Sequence, residues 1–255
     1  SLEKAQEFIT KEFYEKHCDK EQKPVICCVG HTHIDCAWLW TLRVTEDKAV
    51  RSFSTVLNLM KQYPEYIFMS SQPQLYKFVK KNASQVYAQI KERVKEGRWE
   101  TDGGMFVEAD CNLASGEALV RQFMHGKKFF KEEFGTDNKI LWLPDVFGYS
   151  AALPQIIQKC GIPYFMTTKI SWNEFNKMPY DTFEWEGIDG SRVLTHFIPT
   201  REYNKAAVEG GTETEHFTTY NGYLNPSQMK GGWARYSHKY LNDEVLCSFG
   251  FGDGG

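Results

Sequence analysis

Residues with metal-binding chemistry follow a short apolar segment near the start of the chain. The segment Pro24–Val29 precedes His31, His33 and Asp35, which stand at alternate positions. On an extended backbone, residues two apart point to the same side, so these three side chains could face one point. Imidazole and carboxylate groups suit a divalent cation such as zinc. The spacing therefore indicates a metal site, with a hydrogen-bonded strand end that binds no metal as the alternative.

Four more polar residues follow later apolar segments. Asp145 follows the fourth segment and Lys169 the fifth. Tyr203 follows the sixth segment and Asp253 the seventh. In parallel α/β proteins the functional residues lie at the carboxyl ends of the strands, so this repetition indicates one shared site. For Asp145, capping of a helix that begins near Ala151 is the alternative.

Two tryptophans and two acids flank these positions. Trp38 suits stacking on the apolar face of a sugar, whereas Trp40 could serve either as such a platform or in the core. Glu108 and Asp110 follow a pair of glycines that permit unusual backbone angles. These acids could orient the substrate or a metal ligand, or serve the structure alone.

Short apolar segments alternate with helical patterns along the whole chain. The segments predict seven strands, at Pro24–Val29, Tyr66–Met69, Trp99–Thr101, Ile140–Leu143, Tyr164–Thr167, Val193–Ile198 and Val245–Phe249. The predicted helices are Asp47–Gln62, Gln74–Glu96, Ser115–Glu133 and Ala151–Lys159. This alternation predicts a parallel α/β sheet, without separating a closed barrel from an open sheet.

The chain is predicted to be a single catalytic α/β domain over residues 1–255. Residues 1–22 form a helical lead-in, and residues 202–242 form a long polar excursion with a helix near Pro226–Lys239. The chain starts at Ser1 without a methionine and stops in a glycine-rich turn after an apolar segment. We therefore expect a fragment of a longer enzyme, cut at both ends.

Composition narrows the functional classes. The formal net charge of −3 gives neither a basic footprint for nucleic acid nor a polybasic membrane patch. No apolar run approaches the roughly 20 residues that span a bilayer, and the first 20 residues lack the apolar centre of a signal peptide. The seven cysteines include no C-x-x-C pair, which favours reduced thiols and a cytoplasmic protein.

Several motifs together resemble one known enzyme family. The carrying segments are His31–Asp35 with Trp38, Gly103–Asn112, Trp142–Ser150, Lys169–Asn173 and Phe249–Gly255. From about Val25 to its end the sequence resembles the α-mannosidases of glycoside hydrolase family 38, with features of the cytosolic and bacterial branch. The resemblance implies an irregular seven-stranded parallel (β/α) barrel, which could be incomplete at its C-terminal end.

The resemblance also implies roles for matching residues. His33 and Asp35 are then metal ligands, and Asp145 is both a ligand and the catalytic nucleophile. His31 is left beside the ligands as an orienting residue. The family's fourth ligand is a histidine that has no match within this sequence. The implied cofactor is one divalent ion, with zinc favoured and calcium or cobalt as alternatives.

The second catalytic acid and the substrate contacts follow less directly from the resemblance. Asp253, in the family's glycine–aspartate turn, is the first candidate for the acid, and Asp110 is the reserve. Trp38, Lys169, Tyr203 and Asp110 are the candidate substrate-binding residues. Lys169 stands where the family has an arginine that could steady the nucleophile or a sugar hydroxyl.

The expected activity is hydrolysis of terminal α-D-mannosides with retention, through a covalent mannosyl-enzyme, on mannose-containing oligosaccharides. The metal would chelate the sugar 2- and 3-hydroxyls. Neither nucleic acid nor a membrane is an expected partner, and a homo-oligomeric parent enzyme is left open. A metal-dependent polysaccharide deacetylase and a catalytically inactive sugar-binding fragment are the alternatives.

Overall fold

Eight strands and the helices between them form a mixed α/β fold in the computed structural model, which describes residues 2–14, 16, 24–173, 175–176, 178–200 and 219–254. The strands are β1 Val25–His31, β2 Phe68–Met69, β3 Trp99–Glu100, β4 Ile140–Leu143, β5 Tyr164–Thr167, β6 Thr182–Glu186, β7 Arg192–Phe197 and β8 Glu244–Phe249. The α-helices are α1 Leu2–Phe8, α2 Leu42–Gln62, α3 Pro73–Asn82, α4 Ser84–Lys95, α5 Gly116–Phe134, α6 Leu153–Lys159 and α7 Pro226–Arg235. A π-helix at Ile9–Tyr14 and a 3₁₀ turn at Lys169–Ser171 complete the elements of these ranges.

The strands form two four-stranded sheets, and the predicted seven-stranded barrel is not confirmed. Their orders are β3-β2-β1-β8 and β4-β5-β7-β6. Every neighbouring pair is parallel except β6 with β7, which is antiparallel. All seven predicted strands are present, and β6 is the one that the sequence pattern missed. This edge strand alternates polar and aromatic residues and is only partly buried, so it has no continuous apolar run.

The predicted helices are present with shifted ends. Helix α5 begins as expected, with the Ser115 hydroxyl accepting a hydrogen bond from the Ala118 amide. The predicted helix Gln74–Glu96 is divided into α3 and α4 at Ala83, whose backbone leaves the helical region. Asn82 and Ser84 flank this break, and such side chains favour helix ends over helix interiors. Helix α7 lies within the predicted Pro226–Lys239.

Three apolar clusters support the sheets. The first packs α2, α3, α4 and α5 around β2 and β3, and the second packs α5 and α6 against β4, β5 and β7. The third lies on the other side of the strands and draws on both sheets. Its members are Val29, Met69, Ile140, Trp142, Met166, Ile198 and Leu246. Both sheets therefore share one inner cluster, which fixes their strand ends relative to one another.

Candidate active site and metal centre

Three of the predicted site residues come together where β1 and β4 end. The Nε2 atom of His33 lies 3.1 Å from Asp35 Oδ1 and 3.6 Å from Asp145 Oδ2. One ligand atom from each of the three residues lies within 4.8 Å of the others. His33 and Asp35 reach this point from the loop after β1, and Asp145 reaches it from the loop after β4. The strand-end argument thus predicted this grouping.

His31 lies beside this group, but both of its ring nitrogens are engaged elsewhere. Nδ1 lies 3.0 Å from the Met69 carbonyl oxygen, which only accepts, and Nε2 lies 3.3 Å from Nε1 of Trp142, which only donates. Burial lowers the pKa of His31 to about 4, so the ring is neutral at pH 7. A neutral ring with both nitrogens hydrogen-bonded fits an orienting residue.

His33 has a carboxylate at each ring nitrogen. On the side opposite Asp35, its Nδ1 lies 2.8 Å from Oε2 of Glu108. Burial alone would lower the pKa of His33, but Glu108 and Asp35 outweigh that effect and raise the pKa well above its usual range. The surroundings of this imidazole therefore favour a positive charge.

Asp145 is held by the end of the neighbouring strand. Lys169, after β5, forms a salt bridge with Asp145 Oδ1. The loop that carries Asp145 is fastened by Thr168, which donates to the Pro144 carbonyl at 2.6 Å, and by Tyr149, which donates to the Val146 carbonyl at 2.8 Å. The helix-cap alternative for Asp145 is wrong, because α6 begins only at Leu153.

The ammonium group of Lys169 lies among aromatic rings. It is 3.8 Å from the ring centre of Trp172, 4.6 Å from that of Phe147 and 5.6 Å from that of Tyr220. Cations are attracted to such ring faces, and the effect grows where water is excluded. Lys169 is buried, so its charge is matched by Asp145 and these rings in place of solvent.

Asp253 approaches the group from the turn after β8. Its backbone is in the left-handed region, at φ 58°, and its amide donates to the His33 carbonyl at 2.6 Å. Its Oδ1 accepts from the Asp35 amide at 3.3 Å. Burial, opposed by the charge of His33 and reinforced by Asp35 and Asp145, raises the pKa of Asp253. A carboxyl that keeps its proton to higher pH suits a general acid.

Strand β8 can bring Asp253 so close because of a glycine. Gly250 has φ 140°, and a Cβ there would lie 2.1 Å from the His31 carbonyl oxygen. A side chain at this position would therefore push β8 away from β1. The amine of Lys48 also donates to the Asp253 carbonyl at 2.7 Å, which ties the turn to α2.

The chemistry of these donors fits a divalent cation. Three carboxylates bring negative charge to the neighbourhood of His33 Nε2, namely Asp35, Asp145 and Asp253. Of these three, Asp145 is the one that forms a salt bridge with Lys169. Buried like charges repel strongly unless a cation compensates them. One imidazole nitrogen and two carboxylate oxygens form a ligand set that zinc accepts, and they leave positions open for further ligands. His33, Asp35 and Asp145 could therefore hold one divalent ion.

Two other predicted residues, Trp38 and Asp110, make their described contacts elsewhere. Trp38 is 63% exposed, in edge contact with Trp40, which is partly packed under the amine of Lys48. Asp110 lies on an exposed turn, where its Oδ1 accepts from the amides of the two residues at 112 and 113. Tyr203 lies outside the described residues. The substrate roles of all three remain predictions.

The structure also adds residues that the sequence did not single out. The ring of Tyr220 lies 5.3 Å from that of His33, and the negative charge of Asp145 acts on its hydroxyl group. Burial and the nearby carboxylates raise the pKa of Tyr220, so its hydroxyl stays protonated. Tyr220 comes from the polar stretch 202–242 and follows no apolar segment, so no pattern pointed to it. Phe147 and Trp172, both within quoted motifs, are exposed rings 6.5 Å apart beside the site.

Carboxylates and an imidazole gathered at the strand ends of an α/β fold, beside exposed aromatic rings, fit a glycoside hydrolase site. The family model for the glycosyl hydrolases family 38 N-terminal domain matches residues 23–255, and the chain belongs to this family.

Named relatives agree with this assignment. The chain is 48% identical to alpha-mannosidase G of Dictyostelium discoideum over 207 residues. This alignment covers 81% of the chain and 19% of that protein. It is 44% identical to human alpha-mannosidase 2C1 over 97% of the chain and 22% of that protein. The chain thus spans about a fifth of the length of these relatives.

A solved structure shows the same fold. The crystal structure of an alpha-mannosidase from Enterococcus faecalis superposes with a TM-score of 0.69 and 19% identity, covering 91% of this chain and 25% of that one. At this identity the likeness establishes the arrangement of elements alone.

Proposed function

We propose that the protein carrying this chain hydrolyses terminal α-D-mannosides and retains the configuration at the anomeric carbon. The observation that carries the proposal is the pairing of two differently held carboxyl groups around His33. Asp145 is salt-bridged to Lys169, whereas Asp253 lies in surroundings that raise its pKa. Two carboxyl groups with separate roles are what a retaining glycosidase requires. The relatives named as alpha-mannosidases support mannose as the sugar.

In the first step, a carboxylate oxygen of Asp145 attacks the anomeric carbon, and the bond to the leaving oxygen breaks. Asp253 gives its proton to that oxygen, so the leaving group departs as a neutral alcohol. In the second step, Asp253 takes a proton from water, whose oxygen attacks the same carbon and releases Asp145. Two displacements at one carbon restore its original configuration.

His33, Asp35 and Asp145 would hold a divalent ion, with zinc favoured by the mixed nitrogen and oxygen ligand set. When bound, this ion supplies a Lewis acid that can grip the adjacent 2- and 3-hydroxyls of mannose. The protonated hydroxyl of Tyr220 is proposed to donate a hydrogen bond to Asp145 and so to orient the nucleophile. Trp38 offers an exposed ring for the sugar face.

We also propose an irregular barrel as the architecture of the domain. The parallel strands form one series of neighbours, β8-β1-β2-β3 and then β4-β5-β7, linked by a parallel bridge between Gly103 and Leu141. The inner cluster that both sheets share supports the same arrangement.

Mannose-containing oligosaccharides are the proposed partners, and the cytoplasm is the proposed location. The six cysteines within the described ranges are free, which suits a reducing compartment. No helix in those ranges has the length and apolar character of a membrane span.

The proposal is tested with the full-length protein and two substrates. Hydrolysis of a nitrophenyl α-mannoside that first releases the α-anomer, together with labelling of Asp145 by an activated fluoro-mannoside, supports it. Deacetylation of an acetylated glycan, with no labelling of Asp145, would establish the deacetylase alternative instead. Sugar binding without turnover of either substrate would leave only the inactive alternative.

A further inference from the structure

Glu108 is a buried carboxylate that no step of the proposed reaction uses. Only 4% of its side chain is exposed, against 2% for His33, and the Oε2 and Nδ1 atoms of the pair lie 2.8 Å apart. Its other oxygen, Oε1, accepts a hydrogen bond from the Ser71 hydroxyl at 2.7 Å. Oε1 is thus hydrogen-bonded within the protein, whereas Oε2 is buried and its close neighbour is the imidazole of His33.

The backbone of Glu108 is also held by a hydrogen bond to a residue near the end of β2. Gln72, three residues after the end of β2, adopts a left-handed conformation at φ 61°, which is costly for a residue with a side chain. Its amide side chain donates to the Ile34 carbonyl at 2.9 Å and accepts from the Glu108 amide at 3.3 Å. One side chain therefore links the loop of Glu108 to the loop that carries His33 and Asp35.

The orientation of His33 decides what its second nitrogen can bind. A proton on Nδ1, directed at Glu108, leaves the lone pair of Nε2 facing Asp35 and Asp145. The opposite tautomer would set a lone pair of Nδ1 against the Glu108 carboxylate and direct a proton into the ligand group. Metal-binding histidines are commonly fixed in this way by a carboxylate on the far nitrogen.

His31 offers no substitute for either member of the pair. It lies close enough to His33 and Glu108 to suggest a second group of ligands. However, its two nitrogens already bond to the Met69 carbonyl and to Trp142. No lone pair of His31 is left for an ion.

We propose that Glu108 is a positioning residue, which holds His33 with its Nδ1 protonated so that Nε2 is presented to the divalent ion. The inference rests on the proposed metal site and adds the residue that orients it. Ser71 and Gln72 hold Glu108 in turn, one through its carboxylate and the other through its backbone.

The test compares Glu108→Ala and Glu108→Gln with a matched control in the full-length protein. Glu100→Gln makes the same charge change at an exposed carboxylate at the end of β3. Affinity for Co²⁺ is measured by titration, with the visible spectrum as a report on ligand geometry. We expect Glu108→Ala to weaken binding about 10–100-fold and to alter the spectrum. Glu108→Gln should lose less, since its amide oxygen can still accept from Nδ1, and Glu100→Gln should match the wild type.

Two outcomes would overturn the inference: wild-type affinity and spectrum in both Glu108 variants, or an equal loss in Glu100→Gln. A measurement without any variant guards against misfolding. Long-range ¹H–¹⁵N spectra of the zinc-loaded wild type should show His33 protonated at Nδ1, and protonation at Nε2 would refute the proposal. If the wild type binds no divalent ion at all, the proposed metal site fails first.

Discussion

The two sheets hold the two carboxyl groups proposed for catalysis by different means. At the end of the second sheet, Asp145 is paired with the buried ammonium of Lys169. At the end of the first sheet, Asp253 is held mainly through backbone contacts to residues 33 and 35, with other carboxylates nearby. The same type of side chain is therefore suited to attack on one side and to proton transfer on the other.

Substitution of the proposed nucleophile, Asp145, should have the largest effect on turnover. Asp145→Asn keeps the size of the side chain but removes the carboxylate, so we expect turnover of a nitrophenyl α-mannoside to fall about 10⁴-fold or more. Initial rates and fluoro-mannoside labelling measure this. Loss of less than tenfold, with labelling of another residue, would contradict the role given to Asp145.

Loss of the proton donor should have a smaller effect that depends on the leaving group. Asp253→Asn is expected to slow hydrolysis of an alkyl mannoside by about 10²–10⁴-fold, and that of a nitrophenyl mannoside much less, because a good leaving group needs no proton.

The pH profile tests the same residue. Since the pKa of Asp253 is raised, its acid form persists above the pH at which an ordinary aspartate loses its proton. The rate kcat/KM should therefore fall as pH rises through that pKa, and Asp253→Asn should remove this alkaline limb. If Asp110→Asn removes it and Asp253→Asn does not, the reserve candidate is the acid.

A substitution at Lys169 tests the comparison of the two carboxyl groups. It removes the cation that pairs with the Asp145 carboxylate, so that Asp145 comes to resemble Asp253. Lys169→Met deletes the ammonium group and retains an unbranched apolar side chain, which leaves the carboxylate without its partner. We expect kcat to drop about 10–100-fold, by analogy with other residues that orient a ligand. Lys169→Arg restores a cation and should recover most of the activity. Equal loss in both variants would mean that packing, and not charge, is what matters.

The smallest expected effect lies at the exposed aromatic surface. Trp38→Ala removes a ring that is 63% exposed, so folding should be unaffected. Loss of stacking is worth about 1 kcal/mol, or roughly a fivefold rise in KM with little change in kcat. A fall in kcat with unchanged KM would show that Trp38 acts on the reaction itself.

The sequence predicted that His33, Asp35 and Asp145 lie together, and their roles stay predictions. His33, Asp35 and Asp145 share a strand-end position, and the period of two along the first loop brought His33 and Asp35 to one side. The sequence pattern did not predict the antiparallel strand Thr182–Glu186, because a partly exposed edge strand lacks the apolar run of its buried neighbours.

Other contacts depend on folding at long range. Tyr220 reaches Asp145 across 75 positions of chain, and only the assembled structure shows which of Glu108 and Asp110 meets a histidine. The periodicity of a sequence predicts the direction of a side chain relative to its own helix or strand. It does not predict which distant element that side chain will contact.

The central claim is that one divalent ion joins the two sheets through His33, Asp35 and Asp145. Crystals grown with Zn²⁺ and measured on both sides of the zinc absorption edge test it directly. We predict one anomalous peak about 2.0–2.2 Å from His33 Nε2 and from a carboxylate oxygen of each aspartate. A well-ordered site without such a peak, or a peak bound by His31 in its place, would contradict it.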